Sequence, residues 1–273
     1  MRKVITIIFI SILVSTVAVA QTKETRDVST FTELSYRISG KLYLRQGSPQ
    51  KVVLEGDSED LSEIETTIKG NRLIIENEEK YRWFSWSDDP KKINVYITVE
   101  NIDALYVSGS GDLLAETTIK SGDLDLRVSG SGNMEVQVDL AGDLRADVSG
   151  SGNLKVKGNC KDLTSSISGS GKVYIANAIE GTAKFSLSGS GKVLAAGKAQ
   201  VVKADISGSG KLLAADLETD RCEVRIAGSG DVEINVKNDL DAKITGSGSV
   251  RYKGNPNHVN GNSSGSGKIR KMG

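Results

Sequence analysis

The chain of 273 residues has one histidine, two cysteines and three prolines, and aromatic residues make up only 5% of it. The one histidine, His258, lies in a polar, turn-like stretch, so we predict no histidine-based catalysis and no multi-histidine metal site. The prolines are scattered, and no proline-rich linker divides the chain. Lys and Arg together number 35, as do Asp and Glu, so the net charge gives no case for nucleic-acid binding. We predict no cofactor and no metal.

Long apolar runs are also scarce, and the clearest one spans Val4 to Val17. It follows two basic residues and ends at Ala18-Val19-Ala20, an order typical of a cleaved signal peptide. A transmembrane anchor is the alternative, but the run is short for a membrane span. We therefore predict a signal peptide at residues 1–20, a short tail at 21–30, and export without membrane insertion of the mature chain. Its location would be the periplasm, the outer cell surface or the medium.

Glycine, by contrast, is abundant, with 30 residues, and much of it lies in a repeat. The triplet Gly-Ser-Gly occurs nine times between residues 109 and 267, at intervals of 18 to 21 residues. A fixed period near 20 predicts a solenoid. Apolar residues recur two positions before the first glycine of the triplet and four positions after it. The first column is Val107, Val128, Val148, Ile167, Leu187, Ile206, Ile226 and Ile244; the second is Leu113, Met134, Leu154, Val173, Val193, Leu212, Val232, Val250 and Ile269.

On either side of the corner the sequence alternates apolar and polar residues, which is typical of half-buried strands. Gly-Ser-Gly supplies a tight corner because glycine reaches positive φ without steric cost. We therefore predict an all-β fold, a single-stranded parallel β-helix with coils of about 20 residues and Ser-Gly-Ser-Gly corners. One continuous domain would span residues 31–273, with irregular N-terminal coils at 31–100 and regular coils at 101–273.

The chain also resembles a known family, the putative auto-transporter adhesin, head GIN domain family. The resemblance is carried by the opening segment from Phe31 to Gly40, the segment from Gly70 to Ile75, and the stretch from Val95 to Gly111 that leads into the repeats. It implies a right-handed β-helix, export in Gram-negative bacteria of the Bacteroides type and an adhesive role. It implies no catalytic residue, and no translocating β-barrel is visible in the chain.

Two sets of residues are candidate contact sites. The segment 81–90 concentrates aromatic side chains beside charged ones, so we predict that it contacts a ligand or partner or caps the N-terminal coils. Its candidate residues are Tyr81, Arg82, Trp83, Phe84 and Trp86. The residue after Gly-Ser-Gly is lysine in three successive repeats, so Lys172, Lys192 and Lys211 would form a basic ladder. Such a ladder suits sulfated or carboxylated glycans, or it blunts sheet association. The corner serines would hydrogen-bond to the turn backbone and to one another.

These features favour a non-catalytic, adhesin-like or ligand-binding protein of the cell envelope, with a surface glycan or an envelope protein as partner. A structural spacer of the envelope and a polysaccharide-active enzyme are the alternatives. The enzyme would need a carboxylate pair across a groove, for which Asp125 beside Asp123 and Asp147 beside Asp143 are candidates. Because three coils separate them, Cys160 and Cys222 should remain free thiols.

Overall fold

The computed structural model describes residues 21–78 and 93–272, and strands dominate this part of the chain. Its one helix within these ranges is α1, Ser58–Ser62. The strands are β1 Thr22–Arg26, β2 Glu33–Tyr36, β3 Lys41–Gln46, β4 Lys51–Gly56, β5 Ile64–Lys69, β6 Arg72–Asn77, β7 Asn94–Val99, β8 Ala104–Gly109, β9 Asp112–Ala115, β10 Ile119–Ser121, β11 Leu124–Gly130, β12 Asn133–Leu140, β13 Leu144–Gly150, β14 Asn153–Cys160, β15 Leu163–Gly169, β16 Lys172–Ile179, β17 Thr182–Gly189, β18 Lys192–Gly208, β19 Lys211–Gly228, β20 Asp231–Gly246, β21 Ser249–Lys253, β22 His258–Ser264 and β23 Lys268–Lys271.

The strands stack coil upon coil into two parallel sheets. The strands that lead into a Gly-Ser-Gly corner form the pre-corner sheet, in which β8, β11, β13, β15 and β17 follow one another. The strands that leave the corner form the post-corner sheet, in which β9, β12, β14 and β16 do the same. The long strands β18, β19 and β20 each run through both sheets. The fold is therefore the predicted solenoid of stacked parallel coils.

The two apolar columns read from the sequence form the core between these sheets. Val128 pairs with Val107 and Val148, and the same register continues coil by coil to Ile244. Every member of the first column is buried. The second column is equally in register and is buried up to Val250. The predicted core is confirmed.

The corners are held by backbone rather than by serine side chains. The first glycine of each triplet has positive φ, as at Gly130 with φ 111°. The amide of the corner serine then donates to the glycine carbonyl one coil below, as Ser151 does to Gly130 at 2.9 Å. Among the described corner serines, one hydroxyl pair is hydrogen-bonded, Ser266 to Ser247 at 3.0 Å. The expected hydroxyl ladder is therefore wrong, because the backbone satisfies the turn without it.

The N-terminal part combines parallel coils with antiparallel strands. Strands β2 and β3 join the parallel stacks. Strand β5 pairs antiparallel with β6 across a turn at Gly70, whose φ is 66°. Strand β4 pairs antiparallel with β7, and β1 with β4. Residues 22–26, expected as part of a tail, therefore add a strand to the sheet, because the edge of β4 offers backbone partners.

Both cysteines are free and buried, and they carry the first testable prediction. Strand β14 continues past Gly158 and places Cys160 in register with Ile179 in the core. Burial raises the pKa of the Cys160 thiol to about 11 and that of Cys222 to about 12. Because the thiolate is the nucleophile, iodoacetamide at pH 8 should label neither thiol in the folded protein and both in urea.

Mass spectrometry of the unreduced protein, with and without urea, reads both the labelling and the bonding. Two free thiols are expected. A Cys160–Cys222 disulfide, or rapid labelling of folded protein, would contradict the coil register.

Candidate functional site

The aromatic segment lies outside the described residues. The structure does not describe residues 79–92, which include Tyr81, Arg82, Trp83, Phe84 and Trp86. The predicted signal peptide, residues 1–20, also lies outside the described residues. Their proposed contact role stays a prediction. The geometry of a site must therefore come from the described coils.

The three lysines of the predicted ladder lie side by side on the post-corner sheet. Each is the first residue after a corner, and Lys192 pairs in register with Lys172 on one side and Lys211 on the other. Lys211 forms an ion pair with Asp231 at 2.9 Å. Within the described part of the chain, Lys172 and Lys192 have no ion pair. Two adjacent coils thus present uncompensated positive charge.

The Lys211–Asp231 pair has a local cause. The Ser249 hydroxyl donates to Asp231 at 2.6 Å, and together with Lys211 it holds the pKa of that carboxyl below its usual range. Asp231 therefore stays ionised and remains ion-paired with Lys211. The unpaired charge of the ladder is concentrated at its other two members.

An apolar strip runs beside the ladder, two residues further along the same strands. Tyr174, Leu194 and Leu213 are in register on three successive coils and point to the outer face. Tyr174 is 37% exposed, and the two leucines are half-buried. Outward apolar side chains in consecutive coils break the polar-out pattern of the strands.

This strip was not among the contact residues predicted from the sequence, although the sequence carries its signal. At the same position the neighbouring coils carry charged residues: Glu135 and Lys155 before the strip, Glu233 and Arg251 after it. Only a comparison of outward positions between repeats reveals the change. Apolar periodicity along one strand does not, because it reports the inward face.

The strip borders one shallow groove, and the ladder lies beside that groove rather than in its lining. Its volume is about 400 Å³, and its lining includes Tyr174, Leu194 and Leu213 with alanines on the side away from the lysines. Lys155 and Lys157 lie at one end, and Asp216 and Glu233 at the other. We call Lys172, Lys192, Lys211, Tyr174, Leu194 and Leu213 the lysine–leucine face.

A second groove, of about 740 Å³, lies on the pre-corner sheet. Its lining alternates serines with residues of the first apolar column and includes the charged residues Asp147, Asp205, Arg225 and Lys243. Asp147 there is ion-paired with Arg145 at 2.7 Å, and Asp205 lies 3.7 Å from Arg225. These contacts neutralise its carboxylates.

Three of the four carboxylates considered for catalysis, those of Asp123, Asp125 and Asp147, are likewise engaged. Asp125 binds Arg127 at 2.6 Å, and Asp123 accepts the backbone amide of Asp143 at 2.7 Å. No group of three or more potential metal ligands occurs among the described residues. Within the same residues, no helix has the length and apolarity needed to cross a membrane.

Comparisons with known proteins agree with this architecture. The solved structure of a protein from Parabacteroides distasonis named a putative lipid binding protein is 22% identical, with a TM-score of 0.68 over 93% of this chain and 97% of that one. A putative adhesin from Parabacteroides merdae is 19% identical, with the same TM-score and coverage. A putative adhesin from Parabacteroides distasonis is 20% identical, with a TM-score of 0.68 over 92% of this chain and 97% of that one. At these identities the likeness shows a shared fold. A comparison with curated proteins found no match.

The family is shown by a match along most of the sequence. The model described as putative auto-transporter adhesin, head GIN domain matches residues 30–193 and 180–256. These two ranges include the strands from β2 to β21. The chain therefore belongs to the putative auto-transporter adhesin, head GIN domain family.

Proposed function

We propose that this chain is an exported, non-catalytic, adhesin-like protein that binds a ligand of the cell envelope through the lysine–leucine face. The observation that carries the proposal is the joint departure of three successive coils from the polar-out pattern. Three apolar side chains lie there beside two lysines that have no ion pair among the described residues. Solvent-exposed apolar groups beside unpaired cations favour ligand contact.

This surface also separates the proposal from its alternatives. A rigid spacer needs only uniform coils. That role does not require the outward apolar strip of Tyr174, Leu194 and Leu213. A polysaccharide-active enzyme needs carboxylates free to act on a sugar, whereas Asp125 and Asp147 are bound by arginines. Family membership and the signal peptide predicted at residues 1–20 support export.

The names of the relatives support a surface role for this chain. Two are called putative adhesins and one a putative lipid binding protein. Adhesion fits a protein that meets a partner outside the cytoplasm. An apolar strip fits a ligand that is itself partly apolar. The aromatic segment with Trp83 and Trp86 is a further contact that we predict from the sequence alone.

Binding to isolated envelopes tests the proposal. Fluorescently labelled protein comprising residues 21–273 should bind envelopes of a Gram-negative bacterium of the Bacteroides type. The variant Tyr174→Ser/Leu194→Ser/Leu213→Ser should bind at least about tenfold more weakly, a loss of ~1.4 kcal/mol. The matched control Ser166→Ala/Ser186→Ala/Asp205→Ala changes three outward positions of the pre-corner sheet and should bind as wild type does.

Both variants should retain the wild-type circular dichroism spectrum, because all six side chains point outward. Equal binding by the folded apolar-strip variant would overturn the assignment of the face. Absence of binding by the wild-type protein would overturn the adhesive function itself.

A further inference from the structure

We propose that the lysine–leucine face binds a single anionic amphiphile, with its acidic headgroup at Lys172 and Lys192 and its apolar chain across Tyr174, Leu194 and Leu213. The inference rests on the proposed function, since it names the ligand class of the same face. Charge, apolarity and size each restrict that class.

The charge of the face selects an anion. Lys172 and Lys192 lie on adjacent coils, whose backbones are ~4.8 Å apart. Neither has a carboxylate partner among the described residues, whereas Lys211 is already paired with Asp231. An acidic group between the two free ammonium groups relieves their mutual repulsion and accepts charge-assisted hydrogen bonds from both.

The apolar strip requires more than an anion. Tyr174, Leu194 and Leu213 border the groove, and Ala176 and Ala196 continue its surface away from the lysines. An inorganic anion or a fully hydroxylated sugar would leave these groups in water, or cover them with polar atoms that lose hydration. A hydrocarbon chain removes them from water without that loss.

The order of the columns sets the direction of the ligand. Along β18 the outward residues are Lys192, then Leu194, then Ala196. The outer face of β18 therefore passes from cation to bulky apolar group to small apolar group over about 14 Å, four residues at ~3.4 Å each. A headgroup at the lysine column places its chain over Leu194 and toward Ala196, with Tyr174 and Leu213 on either side.

The size of the face favours a small molecule over a protein. Three strands and four residues cover roughly 14 Å by 14 Å. A stable protein interface takes ~800 Å² from each partner, several times this area. The groove volume of about 400 Å³ lies within the range of small-molecule sites, ~300 to 1,000 Å³.

The test uses dansyl-undecanoic acid, a fluorescent acid with a linear chain, below its critical micelle concentration. Two further probes carry the same dansyl chain with an alcohol or a trimethylammonium group in place of the carboxylate. The acid should bind the protein with enhanced, blue-shifted emission. The alcohol should bind about tenfold more weakly or worse, and the cation should not bind.

Variants of the two parts of the face separate the contribution of the acidic headgroup to affinity from that of the apolar chain. Lys172→Gln/Lys192→Gln should lower affinity for the acid to that for the alcohol and abolish its salt dependence. The control Lys184→Gln/Lys203→Gln removes two exposed lysines that are likewise in register and without an ion pair among the described residues, but on the pre-corner sheet. It should bind the acid as wild type does. Tyr174→Ser/Leu213→Ser should weaken binding of acid and alcohol alike.

Equal affinity for all three headgroups, or unchanged binding by Lys172→Gln/Lys192→Gln, would overturn the inference. Binding to phosphatidylglycerol vesicles without binding of the soluble acid would overturn it in favour of a membrane surface. Envelope binding that depends on the face, without binding of any probe, would leave the proposed function standing and reject this ligand class.

Discussion

Gly197→Ala should destabilise the protein by more than ~4 kcal/mol. Gly197 lies in β18 with φ 121°, where a side chain is strained. A Cβ there would overlap the backbone oxygen of Asn177 in the coil below. That oxygen belongs to the parallel stack, so it cannot withdraw without separating two coils. Urea denaturation followed by circular dichroism measures the effect.

Substitutions at two other glycines separate the cost of steric overlap from the cost of backbone strain. Gly70 has φ 66°, but a Cβ added there would meet no atom within 4 Å, so Gly70→Ala should cost only the conformational strain, ~1 to 2 kcal/mol. Gly122 has neither positive φ nor a close atom, so Gly122→Ala should be nearly neutral. Similar denaturation midpoints for all three variants would contradict the tight stacking of coils at Gly197.

Phe185→Ala should lower the free energy of unfolding by ~3 to 5 kcal/mol. Phe185 is fully buried in the pre-corner sheet, and its neighbours in the column are the small residues Ser165 and Ala204. The ring therefore fills space that the adjacent coils leave open. Its removal creates a cavity that the parallel strands on either side hold open, because their register is fixed by backbone hydrogen bonds.

Phe185→Leu should cost less than half as much, since it retains most of the apolar volume. Lys184→Ala, at the neighbouring outward position, should change the midpoint little. A loss for Phe185→Ala no larger than for Lys184→Ala would show that the ring is not part of the core.

The regular coils were predictable because their core repeats. Each coil must place an apolar residue above that of the last, so Val128, Val148 and Ile167 recur at nearly constant spacing. The antiparallel N-terminal strands were not predictable in the same way. Val52 and Leu54 alternate with less buried residues as they would in a parallel coil, and alternation carries no information on strand direction.

Part of the candidate site could be predicted from the sequence. The lysines follow an unmistakable corner motif, so their register could be foreseen. The strip at Tyr174, Leu194 and Leu213 could not be predicted without knowing which residues point outward. An apolar residue considered alone is equally consistent with a place in the core. The neutralisation of Lys211 depends on the side chains of Asp231 and Ser249 meeting in space, which spacing alone does not reveal.

Lysine footprinting on envelopes tests the central claim most directly. Wild-type protein, residues 21–273, is treated with a water-soluble acetylating reagent in the presence and absence of isolated envelopes, and each lysine is quantified by mass spectrometry. Binding through the lysine–leucine face predicts strong protection of Lys172 and Lys192, with Lys184 and Lys203 on the other sheet acetylated as before. Equal protection of both pairs, or protection of Lys184 and Lys203 alone, would contradict the account.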